Sequence, residues 1–386
     1  MKKVAIFIAD NIYNRKGMMN AQLNRISHLK KISNFNIDVF TFQTYTTKLF
    51  KFSNSSLPKR LVINDISINI KWRKFSFIDY ILTTKLHKKP IINNNWELKY
   101  MSEFKDYDLI IANSRNLGYL AYRLMLKYNI PYYVTWHGTD IHTAPFTNSY
   151  LFKKTKFVLE GAVLNFMVSK ALLETSKKIS STANSIVLYN GVNNAFIKYS
   201  DSARYSLKDI KGVRGKKIVA FAGHLIEVKN PQLLPEIFNN VMKMYQQPIE
   251  FWIMGTGKMR EYIEEKCKHY GLPLKMWGNI AAEEMPDMLN CVDVLVLPSR
   301  NEGLPLIAIE AIACGANAVG ARVGGIPEVM GDENTFYHGD NFVSEISKRI
   351  AYMLCNNVVQ KIPSCFTWEE IAVIENNIYL DYFKCE

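Results

Sequence analysis

Cysteine is scarce and one-sided in this 386-residue chain: there are six, none before Cys267, and no Cys-x-x-Cys pair. That excludes a disulfide-stapled scaffold, and Cys267, Cys291, Cys314, Cys355, Cys365 and Cys385 read as reduced, mostly buried thiols. No apolar run approaches the ~18 to 20 residues a membrane span requires. The apolar stretch at 4–9 is short for a signal peptide and lacks a small-residue cleavage site. It reads as the first buried strand of a cytoplasmic protein. Acidic residues are scarce in one half only. Residues 1–195 hold 28 Lys and Arg against 11 Asp and Glu, a balance of +17, and the remainder is −4. The basic half therefore points to a polyanion: a lipid surface, a nucleic acid or a phosphorylated substrate.

What is present is an ordinary globular balance, 48% hydrophobic and 22% charged, over more than twice a typical domain length. Short β-branched and aliphatic runs at 4–9, 37–42, 109–112, 132–136 and 166–168 alternate with helical patterns such as 18–31 and 117–128. A second series at 218–222, 251–254, 274–277, 294–297 and 318–320 alternates in the same way. Such alternation predicts a parallel sheet with helices on both faces, and its occurrence twice predicts two doubly wound α/β domains. They are placed at 1–195 and 216–365, with a polar linker at 196–215 and a terminal helix within 366–386. Residues 44–105 break the alternation. They carry 12 Lys and Arg against 4 acids, interleaved with Phe50, Phe52, Trp72, Phe75, Phe77 and Tyr80.

The passage richest in chemistry runs from Pro298 to Gly315. A strand ends at Leu297, a polar loop holds Glu302 and Gly303, and Pro305 suits a first helical turn. The helix that follows is apolar on every side except at Glu310. A carboxylate there is predicted to be buried, which costs several kcal/mol unless it finds donors. Ligand hydroxyls would serve, as would a neighbouring loop. Glu302 lies where ligands of open α/β sheets bind, and the free N–H groups of the helix start favour an anion such as a diphosphate. Asn230 and Pro231 read as an N-cap and first helical residue, which places Lys229 at the carboxyl edge of the second sheet.

Glu302 and Glu310, with seven residues between them, resemble the Glu-x7-Glu signature of retaining nucleotide-sugar glycosyltransferases of the GT-B fold. That large family includes sucrose-phosphate synthases and many bacterial polysaccharide enzymes. The resemblance continues through Gly324, Gly325 and Glu328, a Gly-Gly-x-x-Glu turn, and covers the C-terminal half. It implies two Rossmann-like domains facing across a cleft, acceptor-binding first and nucleotide-sugar-binding second, with the terminal helix returning to the first. It further implies that Glu310 holds the ribose hydroxyls, that Glu302 contacts the donor sugar, and that the amides of Gly303 and Leu304 hold sugar and phosphate.

The segment from Phe221 to Pro231 resembles the family's diphosphate loop. Lys229 takes the phosphate role, and His224 stands where an Arg is usual, a weaker and pH-dependent donor. Gly278, Asn279 and Ile280 sit where the family binds the base through backbone groups. Trp136 to Asp140 looks like its His-Gly-x-Asp segment, with His137 near the donor sugar. Gly17 lies in the first βα loop, where family members approach the diphosphate or acceptor, and is taken as donor-binding. Gly255 to Lys258 lacks full P-loop spacing and reads as a strand-to-helix turn.

The spacing of His137, Asp140 and His142 matches no zinc pattern, so no metal or other cofactor is expected. The resemblance implies a retaining hexosyl or acetamidohexosyl transfer from a nucleoside diphosphate sugar, with a UDP-sugar favoured. The acceptor would be a polyprenyl-linked or other glycan of bacterial capsule, O-antigen or teichuronic-type synthesis. Glu302, Lys229 and His137 would be catalytic, and the enzyme would dock peripherally on the cytoplasmic face of an anionic membrane. A sugar-nucleotide epimerase or hydrolase shares this fold and is the alternative. A nucleic-acid partner is not expected, because no nucleic-acid module accompanies the charge.

Overall fold

The first strand shows why the sheets form. Val4, Ala5, Ile6, Phe7 and Ile8 are each at most 2% exposed, as a continuous apolar run must be when helices cover both faces. This computed structural model describes residues 1–8, 17–45, 57–74, 76–82, 98–356 and 358–385. The chain divides into two compact units, 1–190 with 368–386, and 191–367.

The first unit holds β1 (Lys3–Ile8), β2 (Asn36–Tyr45), β3 (Arg60–Ile63), β4 (Ile66–Lys74), β5 (Leu109–Asn113), β6 (Tyr132–Trp136), β7 (Leu164–Met167) and β8 (Ser185–Val187). Their order is β3-β4-β2-β1-β5-β6-β7-β8, parallel except for β3. The second unit holds β9 (Lys217–Ala222), β10 (Ile249–Met254), β11 (Leu274–Gly278), β12 (Val294–Leu297), β13 (Asn317–Ala321) and β14 (Thr335–Phe336). These pair in parallel in the order β11-β10-β9-β12-β13-β14. Both are doubly wound sheets, as the sequence predicts.

Several expectations need correction. Residues 44–105 do break the strand–helix alternation, since β2, β3 and β4 follow one another with no described helix between them, but they are not outside the sheet: β4 pairs with β2, and Ile66, Ile68 and Ile70 alternate into the core. Asn64 and Asp65, with φ of 48° and 61°, turn β3 into β4; two positive φ values match the right-handed twist of a hairpin. The Trp72 indole N–H donates to the Pro58 carbonyl at 2.8 Å, whereas Phe77 is exposed. Phe50, Phe52 and Phe75 lie outside the described residues.

Residues 196–215 are not a free linker. They contain the helix Asp201–Ile210, which packs within the second unit, where Tyr199 donates to Asp287 at 2.9 Å and Arg204 to the Asn290 carbonyl at 2.9 Å. Only half of the cysteines are buried: Cys267, Cys291 and Cys314 are, and Cys355, Cys365 and Cys385 are exposed.

The helix Trp368–Cys385 belongs to the first unit and packs on the helix Gly17–Ile32. Its Glu375 meets buried Arg25 at 2.6 Å, Tyr379 donates to the same carboxylate at 2.5 Å, and Arg25 reaches Thr135 on β6 at 2.9 Å. Two charges out of water require this pairing, because an isolated one would cost several kcal/mol.

Candidate functional site

In the second sheet the strand order reverses between β9 and β12, so the loops leaving these strands splay apart and leave a crevice at their carboxyl ends. The loop after β9 carries exposed His224, then a 3-10 turn Glu227–Lys229. Asn230 stands at the N-cap of the 3-10 helix Pro231–Leu233, with Pro231 its first residue, but its side chain makes no capping bond. It adopts the left-handed conformation at φ 53°, and its side-chain oxygen accepts from Gln232 at 2.5 Å and Arg300 at 3.2 Å. The Arg300 N–H also donates to the Val228 carbonyl at 2.8 Å, binding the β9 loop to the β12 loop.

This cross-linking brings Lys229 and Glu302 together. The Lys229 Nζ lies 2.6 Å from Glu302 Oε1, and buried Ser299 donates to the same oxygen at 2.8 Å. Oε1 is thus saturated, and Oε2 has no partner among the described residues. The Ser299 carbonyl accepts from His338 Nε2 at 3.0 Å, which fixes the start of the loop. Gly324 comes equally close: a Cβ there would stand 1.8 Å from the Glu302 carbonyl oxygen, and its φ is +52°. Sequence reasoning passed over Ser299 and His338. A small polar residue two positions after a buried strand was the available signal for Ser299; His338 is 39 residues from its partner and left none.

Gly303 and buried Leu304 lead to Pro305, which stands at the N-cap of the helix Leu306–Ala313 rather than within its first turn. The first amides of that helix lack intrahelical acceptors and point a partial positive charge at the crevice. Glu310, in its second turn, has no hydrogen-bond or cationic partner among the described residues. Removal from water pushes its pKa up to about 8, so at neutral pH it carries a proton. Gly278, Asn279 and Ile280 close β11 and join the β9 loop through the turn between them. The Gly255 N–H donates to the Gly278 carbonyl at 2.6 Å, Thr256 to Asn279 at 3.2 Å, and the Leu225 N–H to the Thr256 carbonyl at 2.9 Å. A Cβ on Gly255 would lie 2.0 Å from the Gly223 carbonyl oxygen, so this glycine serves backbone packing between two turns.

His137 and Gly17 are in the first unit. Gly17 opens the helix Gly17–Ile32, and no atom of the described residues lies within 4 Å of where its Cβ would stand. His137 follows β6, and its Nε2 is 3.3 Å from Asn113 Oδ1 at the end of β5. Burial, then the nearby Arg25 charge, pulls its pKa down to about 3. Asp140 accepts from the Gly138 N–H at 3.1 Å, and His142 pairs with Thr143 at 2.6 Å. Among the described residues no three His, Cys, Asp or Glu side chains converge as for a metal. Asp106 and Asp108 form an Asp-x-Asp spacing, a pattern typical of metal-dependent glycosyltransferases. It lies at the amino edge of the first sheet, where Asp108 accepts from the Lys3 N–H at 2.6 Å, away from the ligand end.

The second unit can therefore hold a hydroxyl-rich anion. One cation and a helix start face the anion, one carboxylate oxygen has no partner among the described residues, and one half-buried carboxyl awaits donors. Comparison with known proteins agrees. Residues 206–364 match the family model for glycosyl transferases group 1. Over 91% of both chains, the sequence is 22% identical to an uncharacterized glycosyltransferase of Methanocaldococcus jannaschii. Among solved structures, sucrose-phosphate synthase from Thermosynechococcus elongatus superposes with a TM-score of 0.78 at 16% identity. Anabaena HepE, in complex with UDP and glucose, does so at 0.71 and 17%, each over the full length of both chains.

Proposed function

We propose that this glycosyltransferase, an enzyme with a glycosyl transferases group 1 domain on a GT-B fold, uses a nucleoside diphosphate sugar, a UDP-sugar in preference. It transfers a hexose or acetamidohexose, with retention of anomeric configuration, to a lipid-linked glycan of surface-polysaccharide synthesis. The observation that carries this reading is the Lys229–Glu302 pair at the crevice between β9 and β12, beside a helix start.

An arriving diphosphate competes with Glu302 for Lys229. As Lys229 turns to the phosphates, Ser299 retains Glu302 Oε1, and the carboxylate is freed to accept a sugar hydroxyl. Negative charge growing on the departing diphosphate meets Lys229, His224 and the amides of Gly303, Leu304 and the helix start. Donors already in place at the developing charge cost no reorganisation as the bond breaks. Gly278, Asn279 and Ile280 take the base, and the resemblance assigns His137 and Gly17 to the donor as well. HepE's complex with UDP and glucose supports the choice of donor.

Glu310 takes the ribose hydroxyls, which gives a pH dependence. Hydroxyl donors favour the carboxylate, so binding expels the proton held with a pKa of about 8. Affinity for UDP-glucose should then rise about tenfold per pH unit between 6 and 7 and level off above 8, with nearly one proton released at pH 7. Calorimetry in buffers of different ionisation heat measures that proton. Glu310→Gln should abolish the dependence.

Thermal-shift screening against UDP-, GDP-, ADP- and dTDP-sugars, then turnover with lipid-linked acceptors, tests the reaction itself. Transfer should persist in EDTA, because protein cations take the place of a metal at the diphosphate. Loss on chelation with recovery on adding Mn²⁺ or Mg²⁺ would contradict this mechanism. The basic first unit is the side we assign to an anionic membrane surface, each basic residue contributing about 1 kcal/mol. Lys71 is already paired with Glu103 and contributes less. Vesicles containing anionic lipid should bind the enzyme and release it as salt rises. Equal binding to neutral and anionic vesicles would reject the assignment.

A further inference from the structure

The helices Arg115–Tyr128 and Ser149–Gly161 of the first unit pack side by side. Gly118 permits the approach, since a Cβ there would stand 2.6 Å from Val158 Cγ1. Leu117, Leu120 and Leu124 on one helix, with Val158 and Leu159 on the other, are buried and account for the inner sides. The outer sides would ordinarily be polar. Here Phe157 is 49% exposed and Leu126 is 64% exposed. Tyr122 stacks on Phe157 with ring centroids 6.0 Å apart and planes 4° from parallel, and Tyr119 follows at 6.1 Å from Tyr122. Leu126 lies four residues after Tyr122 and so shares its side of the helix. An apolar seam therefore crosses both helices at the surface, where single scattered residues would need no explanation.

The charge beside this seam has one sign. Arg123 and Lys127 on one helix and Lys153, Lys154 and Lys156 on the other stand against Glu160, the sole acid in either. Lys154 Nζ sits 4.5 Å from the Tyr119 ring centroid, and Lys156 reaches Glu160 at 3.6 Å. Lys153, Lys156 and Phe157 recur at helical spacing on the exposed side. Lysine stems lie along apolar surface while their ammonium groups stay in water. Rings and a leucine bordered by ammonium groups match the boundary of an anionic leaflet, where apolar groups sink below the headgroups and cations meet phosphates. A nucleic acid would engage the lysines and could stack on a ring, but it would leave Leu126 in water.

We propose that the outer face of the helices Arg115–Tyr128 and Ser149–Gly161 is the surface by which this chain docks on an anionic phospholipid leaflet. Phe157 and Leu126 enter the boundary below the headgroups, and Lys153 and Lys156 meet the lipid phosphates. This rests on the anionic-membrane reading given above and assigns it to one face rather than to the charge of the whole unit. The contact lies on these helices and not on β4, whose Lys71 is held by Glu103.

The test is partition of the full chain onto phosphatidylcholine vesicles with and without phosphatidylglycerol, over rising salt. Wild type should bind the vesicles that contain phosphatidylglycerol more tightly. Lys153→Gln with Lys156→Gln should lower that partition about 10- to 30-fold at low salt, and the difference should shrink as salt rises. Phe157→Gln and Leu126→Gln should each lower it about 5- to 20-fold, and these losses should persist at high salt. Lys30→Gln with Lys31→Gln makes the same charge change on the helix Gly17–Ile32 and should leave partition within about threefold. Every substituted side chain is exposed, so the variants should keep their fold, which melting curves check. Equal losses for both lysine pairs would overturn the assigned face and leave the membrane reading standing. Partition that depends on Lys153 and Lys156 but not on Phe157 or Leu126 would overturn the leaflet as occupant, and retention on duplex DNA would then identify a general polyanion surface. Absence of wild-type binding to either vesicle would overturn the proposal and the membrane reading together.

Discussion

Replacing Lys229 by alanine should lower transfer by about 10²- to 10³-fold, the loss expected when a donor aimed at developing charge is removed from a preorganised site. Lys229 is the cation bonded to Glu302, at 2.6 Å, so its removal acts twice. The departing diphosphate loses its counter-charge, and a largely buried carboxylate is left with only Ser299 as a donor. Lys229→Arg should recover part of the rate, because a guanidinium can reach both phosphate and carboxylate. Steady-state kinetics with the preferred UDP-sugar measures both variants. A Lys229→Ala enzyme within about threefold of wild type would show that the diphosphate is stabilised elsewhere.

Glu302→Ala should separate binding from turnover. The sugar hydroxyl loses its acceptor, and kcat should fall about 10²-fold if that contact strengthens in the transition state. The affinity for bare UDP should be unchanged or higher, because Lys229 no longer has to leave a carboxylate to reach the phosphates. Calorimetric titration of UDP beside the kinetic assay gives both quantities. Parallel losses in kcat and UDP affinity would place Glu302 on the nucleotide rather than the sugar.

The elements nearest the site were the most legible. β6 and β12 coincide with their expected runs and β9 lies within a residue of its own, because fully buried parallel strands are written as nearly continuous apolar sequence. β4 was missed although Ile66, Ile68 and Ile70 alternate, because the surrounding lysines and aromatics drew attention to charge. At the site, residue types and their order pointed to Lys229, Glu302 and Glu310. The pairing of the first two did not show, since it depends on backbone bonds that tie the β9 and β12 loops together. Asn230 stands at the N-cap its sequence suggests, but it takes the left-handed conformation that asparagine tolerates, and its side chain binds Gln232 and Arg300 instead of capping the turn.

The central claim is that the loops of β9 and β12 hold the diphosphate through Lys229 and the ribose through Glu310. Calorimetric titration of the full chain with UDP and with uridine, on wild type, Lys229→Ala and Glu310→Ala, tests it most directly. The account predicts that Lys229→Ala weakens UDP and leaves uridine unaffected, while Glu310→Ala weakens both by about 1 to 3 kcal/mol. UDP binding equally tightly to all three proteins would contradict it.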